Sequence, residues 1–215
     1  MALKINKGDI LILELTGRIS STNSIFETTN EKEAKENGIW SQSFKYGPRV
    51  VIAQTGMMIK GIEEALKDFQ IGEEKVLKIS YEKAFGPRDQ NLVRVISIKE
   101  FEKANLKPVK GMVITLDGVI ATVKSINSGR VLLDFNHPLA GHDLVYKIKL
   151  LDLISDEEKK CSVLAKEFEA KIEIVKEENK KPVLIIKEIA QNKKDGFINA
   201  LKSAIGEWAE IKIQS

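Results

Sequence analysis

The sequence predicts an α+β protein with more strand than helix. Three observations carry that prediction. Runs rich in Val, Ile and Leu recur along the chain, hairpin-type turn signals separate some of them, and helical apolar spacing is confined to short stretches. A chain of 215 residues, 43% hydrophobic and 30% charged, can bury either one large core or two to three small ones.

"ILILELTGRI" (10–19) reads as the first strand. "TTNEKEAKENG" (28–38) opens on threonine, continues in good helix formers and stops at Gly38, which predicts a short helix. "VVIAQTG" (50–56) predicts a short strand running into a glycine turn. In "MMIKGIEEALKDF" (57–69), Met58, Ile59, Ile62, Ala65, Leu66 and Phe69 fall on one helical face. "QIGEEKVLKISYEKAFG" (70–86) turns at Gly72 and then alternates as a strand. The texture changes near Pro87. Asp117-Gly118 and Asn127-Ser128-Gly129 then punctuate β-rich runs, so 112–135 predicts a three-stranded meander. "LVYKIKLLDL" (144–153) is one more strand. Ser155 followed by acidic residues predicts a helix start. "AKIEIVKE", "PVLIIKEI", "KDGFINALKSAIG" and "WAEIKI" then predict strand, strand, amphipathic helix and strand.

Charge and composition exclude several classes. The net charge is +3 with Lys and Glu interleaved, so no basic stripe tracks phosphates and no nucleic-acid partner is expected. The single cysteine, Cys161, allows no internal disulfide, and a cytoplasmic setting is expected. "MALKINKGD" lacks the apolar core of a signal peptide, and no apolar run approaches the ~20 residues of a membrane span, so no membrane partner is expected. Both histidines, His137 and His142, lie in "DFNHPLAGHDLVYKIKLLDL" (134–153). Asp134 and Asp143 are the only further ligands at hand, and this spacing matches no zinc pattern. Pro138 and Gly141 between two strands read instead as a joint, with a contact role for His137 as the alternative. No metal site and no cofactor are expected.

In combination, "GRISSTNSIFETT", "GMMIKGIEEALKDFQIGEEKVLKISYEKAFG" and "DFNHPLAGHDLVYKIKLLDL" make the chain resemble an FKBP-type peptidyl-prolyl cis–trans isomerase of the SlyD-like branch, in its long archaeal form. The resemblance covers residues 5–154 well and the tail weakly. It implies an FKBP-type antiparallel sheet wrapped on a short helix, formed by 1–89 and 141–154. It further implies a small β-rich, chaperone-like domain inserted in a flap at 90–140, and a C-terminal α+β domain at 155–215. The stretch 134–143 becomes the point where the chain returns from the insert.

Matched to the family's motifs, Phe26, Glu27, Ile59, Phe85 and Tyr146 stand at catalytic positions. Leu15, Val51, Met58 and Ile62 stand around the substrate pocket. Met58 and Ile59 precede the helix where a backbone donor holds the substrate carbonyl. Four departures stand out. Glu27 replaces an aspartate, Phe85 replaces a tyrosine, Leu15 stands where an aromatic is common, and Ile62 stands where eukaryotic members have tryptophan. Without the resemblance, the apolar members of this set read as core. Trp40 reads as an anchor for its loop and Trp208 as a plug for the tail.

Rotation of an X-Pro bond crosses a barrier of about 18–20 kcal/mol and takes roughly tens to hundreds of seconds unaided. The twisted amide is less polar than the planar one, so an apolar pocket favours it without nucleophile or cofactor. The chain offers no nucleophile–base set, which fits a catalyst of this kind. The expected function is therefore prolyl isomerisation of peptides and unfolded proteins, with the insert holding unfolded chain. The alternative is a non-catalytic chaperone or adaptor retaining the same fold. The tail is expected to self-associate or to meet a partner, because about 60 residues bury only a modest core.

Overall fold

A computed structural model describes residues 4–116, 118–178 and 180–214. They divide into two compact units, one built from segments 1–80 and 143–215, the other from 81–142.

In the first unit the strands are β1 (Ile10–Ile19), β2 (Ile25–Thr28), β3 (Arg49–Ile52) and β4 (Glu74–Ile79), with helices α1 (Glu31–Glu36) and α2 (Lys60–Leu66) between them. The second unit holds β5 (Val93–Ser97), α3 (Ile98–Lys103), β6 (Val113–Leu116), β7 (Val119–Asn127) and β8 (Arg130–Asp134). The first unit resumes with β9 (Leu144–Ile154), α4 (Glu157–Phe168), β10 (Lys171–Val175), β11 (Val183–Glu188), α5 (Gln191–Ile205) and β12 (Glu210–Ile213). The chain is thus a mixed α+β protein, and all its strand pairs are antiparallel except β11 with β12.

The five-stranded sheet of the first unit runs β2–β1–β9–β4, with β3 also paired to β1. β1 serves two partners along one edge, β3 through Ile10–Leu13 and β2 through Thr16–Arg18. β9 alternates as a half-buried strand should, with Leu144, Tyr146, Ile148 and Leu150 buried and Lys147 exposed between them. α2 lies on β4 and buries Ile62 and Leu66. Its Gly61 is required by that approach, since a Cβ there would sit 2.5 Å from Ile79 Cγ2.

Helix starts differ from expectation by a few residues. α1 begins after Asn30, whose side chain accepts from the Glu33 N–H; the Thr28 hydroxyl is engaged elsewhere. α4 is capped by Asp156 rather than Ser155, through a 2.9 Å bond from the Lys159 N–H. α2 starts only at Lys60, because residues 56–59 form an extended entry.

The tail does not stand alone. Ile10 of β1 and Ile52 of β3 share one core with Cys161 and Leu164 of α4, Leu184 and Ile186 of β11, and Phe197, Leu201 and Ile205 of α5. Trp208 packs against this core. "PVLIIKEI", expected as an exposed strand, is the centre of its sheet, between antiparallel β10 and parallel β12. The buried Lys160 of α4 reaches the buried Asp9 at 3.6 Å, Glu157 at 3.3 Å and the Ala204 carbonyl at 3.3 Å. Burial pushes the Cys161 thiol up to about 12, with nearby Glu157 adding to the shift, so it stays protonated and inert.

The second unit is a four-stranded sheet, β5–β8–β7–β6, over a core of Phe101, Ala121, Val123, Val131 and Leu133. It has one strand and one helix more than the meander read from sequence. Asp117 of the first hairpin signal lies outside the described residues; Gly118 has φ 79°, and Leu116 pairs with Val119. In the second hairpin Asn127 pairs with Arg130 across Ser128 (φ 48°) and Gly129 (φ 75°), the two positive φ values that such a turn needs.

Candidate active site

The residues that converge in the first unit do so through a bulge. Gly17 pairs with Glu27, whereas Arg18 pairs with Ile25, so Phe26 is the extra residue on β2. A bulge re-aims side chains that strict alternation would send to opposite faces. Phe26 and Glu27 consequently both meet Tyr146. The Phe26 and Tyr146 rings pack edge to face, 5.7 Å between centroids at 82°. Glu27 Oε1 accepts the Tyr146 hydroxyl proton, and Glu27 Oε2 pairs with Arg49 Nη1 at 3.1 Å.

Gly17 explains why the rings can close. It lies in register with Glu27 on one side and Tyr146 on the other. A Cβ at this position would stand 2.7 Å from Phe26 Cζ and 2.9 Å from Tyr146 Cε1. The strand-interior glycine is thus a space requirement of the aromatic pair.

The bulge is braced from α1. Glu33 Oε2 accepts from Thr16 Oγ1 at 2.6 Å and Thr28 Oγ1 at 2.7 Å, and Glu33 Oε1 pairs with Arg18 at 3.1 Å. Burial works to raise the Glu33 carboxyl, but the two hydroxyl donors and the Arg18 charge outweigh it and hold it below the usual range. Tyr146 is shifted the other way: its burial, and then the charge of Glu27, raise its phenol well above the ordinary value. Tyr146 therefore stays a donor, and its proton fixes the Glu27 carboxylate.

Of the residues expected at the site, Leu15, Val51, Ile62 and Tyr146 are buried in the first unit, and Phe26, Glu27, Met58 and Ile59 are half-buried there. Ile59 caps α2 with extended backbone, φ −58° and ψ 149°, and its carbonyl accepts from Ile62 and Glu63. Phe85 belongs to the second unit, where it stacks flat on His137 at 4.1 Å and 4°. His137 Nδ1 accepts the Leu139 N–H at 3.1 Å. Asp134 is buried against Arg88 at 2.7 Å and Lys124 at 3.4 Å. Its carboxyl is pulled down by the Asn136 hydrogen bonds and the Arg88 charge, which outweigh the effect of burial. Among the described residues no group of three or more His, Cys, Asp or Glu side chains could hold a metal ion. No described helix is long and apolar enough to cross a membrane.

Two participants were not singled out from sequence. Gly17 had a signal, a glycine inside an otherwise strand-like run. Arg49 had none, because its meeting with Glu27 depends on β2 and β3 sharing one edge of β1. Trp40, read as an anchor, is 44% exposed, and its indole N–H donates to Glu31 at 3.1 Å.

Comparison with known proteins places this geometry in context. Residues 94–139 match a family model described as "FKBP26, IF domain". A short-type peptidyl-prolyl cis-trans isomerase of Methanocaldococcus jannaschii is 37% identical over 153 residues, covering 69% of this chain and 94% of the relative. The FKBP-type peptidyl-prolyl cis-trans isomerase SlyD of Helicobacter pylori is 31% identical over 60% of this chain and 74% of its own length. A probable FKBP-type 16 kDa isomerase of Pseudomonas fluorescens is 31% identical over 55% and 81% respectively.

Proposed function

The chain belongs to the FKBP-type peptidyl-prolyl cis-trans isomerase family, and on that premise we propose that it accelerates X-Pro rotation at the aromatic corner of Phe26, Glu27, Ile59 and Tyr146. The observation that carries the proposal is the clamped pair. Two rings held edge to face make an apolar wall that favours a twisted, less polar amide. The Tyr146 proton and Arg49 together fix Glu27, so the wall is preorganised. Leu15, Val51, Met58 and Ile62 line or support the pocket. The family resemblance assigns Phe85 a part as well, from its place in the "AFG" motif. The substrates are proline-containing peptides and unfolded proteins.

The second unit, with the insert proposed at 90–140, holds unfolded chain. Val95, Val113, Val119 and Ile120 are each more than half exposed there, an apolar surface that a small sheet leaves uncovered. Tethering a client there raises the effective concentration of its prolines at the isomerase site. Residues 155–215, whose core is shared with β1 and β3, offer β10 and β12 as open edges for self-association.

The test compares two substrates, a tetrapeptide and an unfolded protein whose refolding is proline-limited. Replacing 90–140 by a short loop is expected to leave tetrapeptide turnover within a few-fold and to slow catalysed refolding about tenfold. No catalysis of either substrate by the intact chain would instead leave the non-catalytic chaperone.

A further inference from the structure

The second unit carries a charge surplus of its own. Residues 81–142 contain nine Lys and Arg against six Asp and Glu, a surplus equal to the +3 of the whole chain, so the remainder balances to zero. The acids of this unit are also partly neutralised. Asp134 faces both Arg88 and Lys124, and Glu100 pairs with Lys103 at 2.9 Å. Lys99, Lys107, Lys110 and Arg130 are exposed and form no ion pair among the described residues.

These cations adjoin an apolar groove. A cleft of about 160 Å³ runs between α3 and β6, lined by Phe101, Ala104, Leu106, Ile114, Leu116 and Leu133. β6 is an edge strand, so its outer backbone groups are open to pairing. Along "LKPVK" (106–110), the 45% exposed Leu106 and 56% exposed Val109 alternate with Lys107 and Lys110.

Resting on the client-holding reading above, we propose that this groove selects extended polypeptide segments in which apolar residues are flanked by Asp or Glu. The open edge and the apolar floor take a strand with alternating side chains. The unpaired lysines at the rim choose the sign of its flanks. A nucleic acid would need phosphate contacts along a continuous track, and here the cations are interrupted by valine and leucine.

The experiment uses the full chain and two fluorescent unfolded peptides with one apolar core, flanked by Asp/Glu or by Lys. Both lack proline, so the isomerase pocket does not contribute. At low salt the acidic peptide is expected to bind roughly fivefold tighter, as two partly exposed ion pairs allow. The gap should close near 1 M salt, where the Debye length is about 3 Å. The double variant Lys107→Glu/Lys110→Glu, with unchanged circular dichroism, should reverse the order. Equal affinities at low salt would overturn the charge selection while leaving client holding intact. Binding of neither peptide would overturn client holding itself. A single-stranded oligonucleotide binding as tightly as the acidic peptide would overturn the assignment to polypeptide.

Discussion

Replacing Gly17 by alanine adds one methyl group to the site and nothing else. Its Cβ would lie 2.7 Å from Phe26 Cζ and 2.9 Å from Tyr146 Cε1. Carbon atoms in ordinary contact are about 3.5–4.0 Å apart, so one or both rings must retreat by roughly 1 Å. Tyr146 is buried and tied to Glu27, so most of the movement falls on half-buried Phe26. The edge-to-face contribution of about 0.5–1.5 kcal/mol is then weakened. Overpacking costs about 1–3 kcal/mol more, and a total of about 2 kcal/mol lowers Tm by roughly 4–8 °C. A wall displaced by about 1 Å should reduce kcat/KM between tenfold and a hundredfold. Thermal unfolding and a tetrapeptide isomerisation assay read the two effects separately. Adding Phe26→Leu to Gly17→Ala makes room again and should restore Tm without restoring the rate. Wild-type Tm and kcat/KM in Gly17→Ala would refute the claim that the glycine exists to let these rings close.

Three further expectations rest on other parts of the molecule. Lys160→Met leaves Asp9 buried without its cation and should cost about 3 kcal/mol, whereas Lys160→Met with Asp9→Leu should recover most of that in a denaturant titration. Glu33 and Asp134 have folded-state carboxyls below their ordinary values of 4.5 and 3.8. The stability they contribute is therefore complete above those values and lost as pH falls through the lower, folded ones, so the denaturant midpoint should drop below about pH 4, less steeply in Glu33→Gln. A chain ending at Ile154 uncovers Ile10 and Ile52 and should melt at lower temperature than the full chain, with light scattering reporting any change of mass.

Much of this architecture was legible in the sequence, and the failures have physical causes. β9 and α2 announced themselves through periods of two and of 3.6 residues, because each buries one face. β5 and α3 were missed because "VRVIS" passes into "IKEFEK" with Ser97 as both strand end and helix cap, leaving no loop to punctuate them. The exposed edge expected at 182–189 is a central strand because β12 returns beside it after α5, a pairing that no local pattern encodes. At the site, the apolar members were legible only through the family resemblance. The Glu27–Arg49 pair and the Phe26 bulge are products of strand register, which hydrophobic patterning alone does not specify here.

The most direct measurement is the rate of cis–trans isomerisation of a short proline peptide with the full chain and with Tyr146→Ala, each checked by circular dichroism. The account predicts clear acceleration over the uncatalysed rate by the full chain and at least a tenfold loss in the variant with the fold retained. An unchanged rate in a folded Tyr146→Ala protein would contradict it.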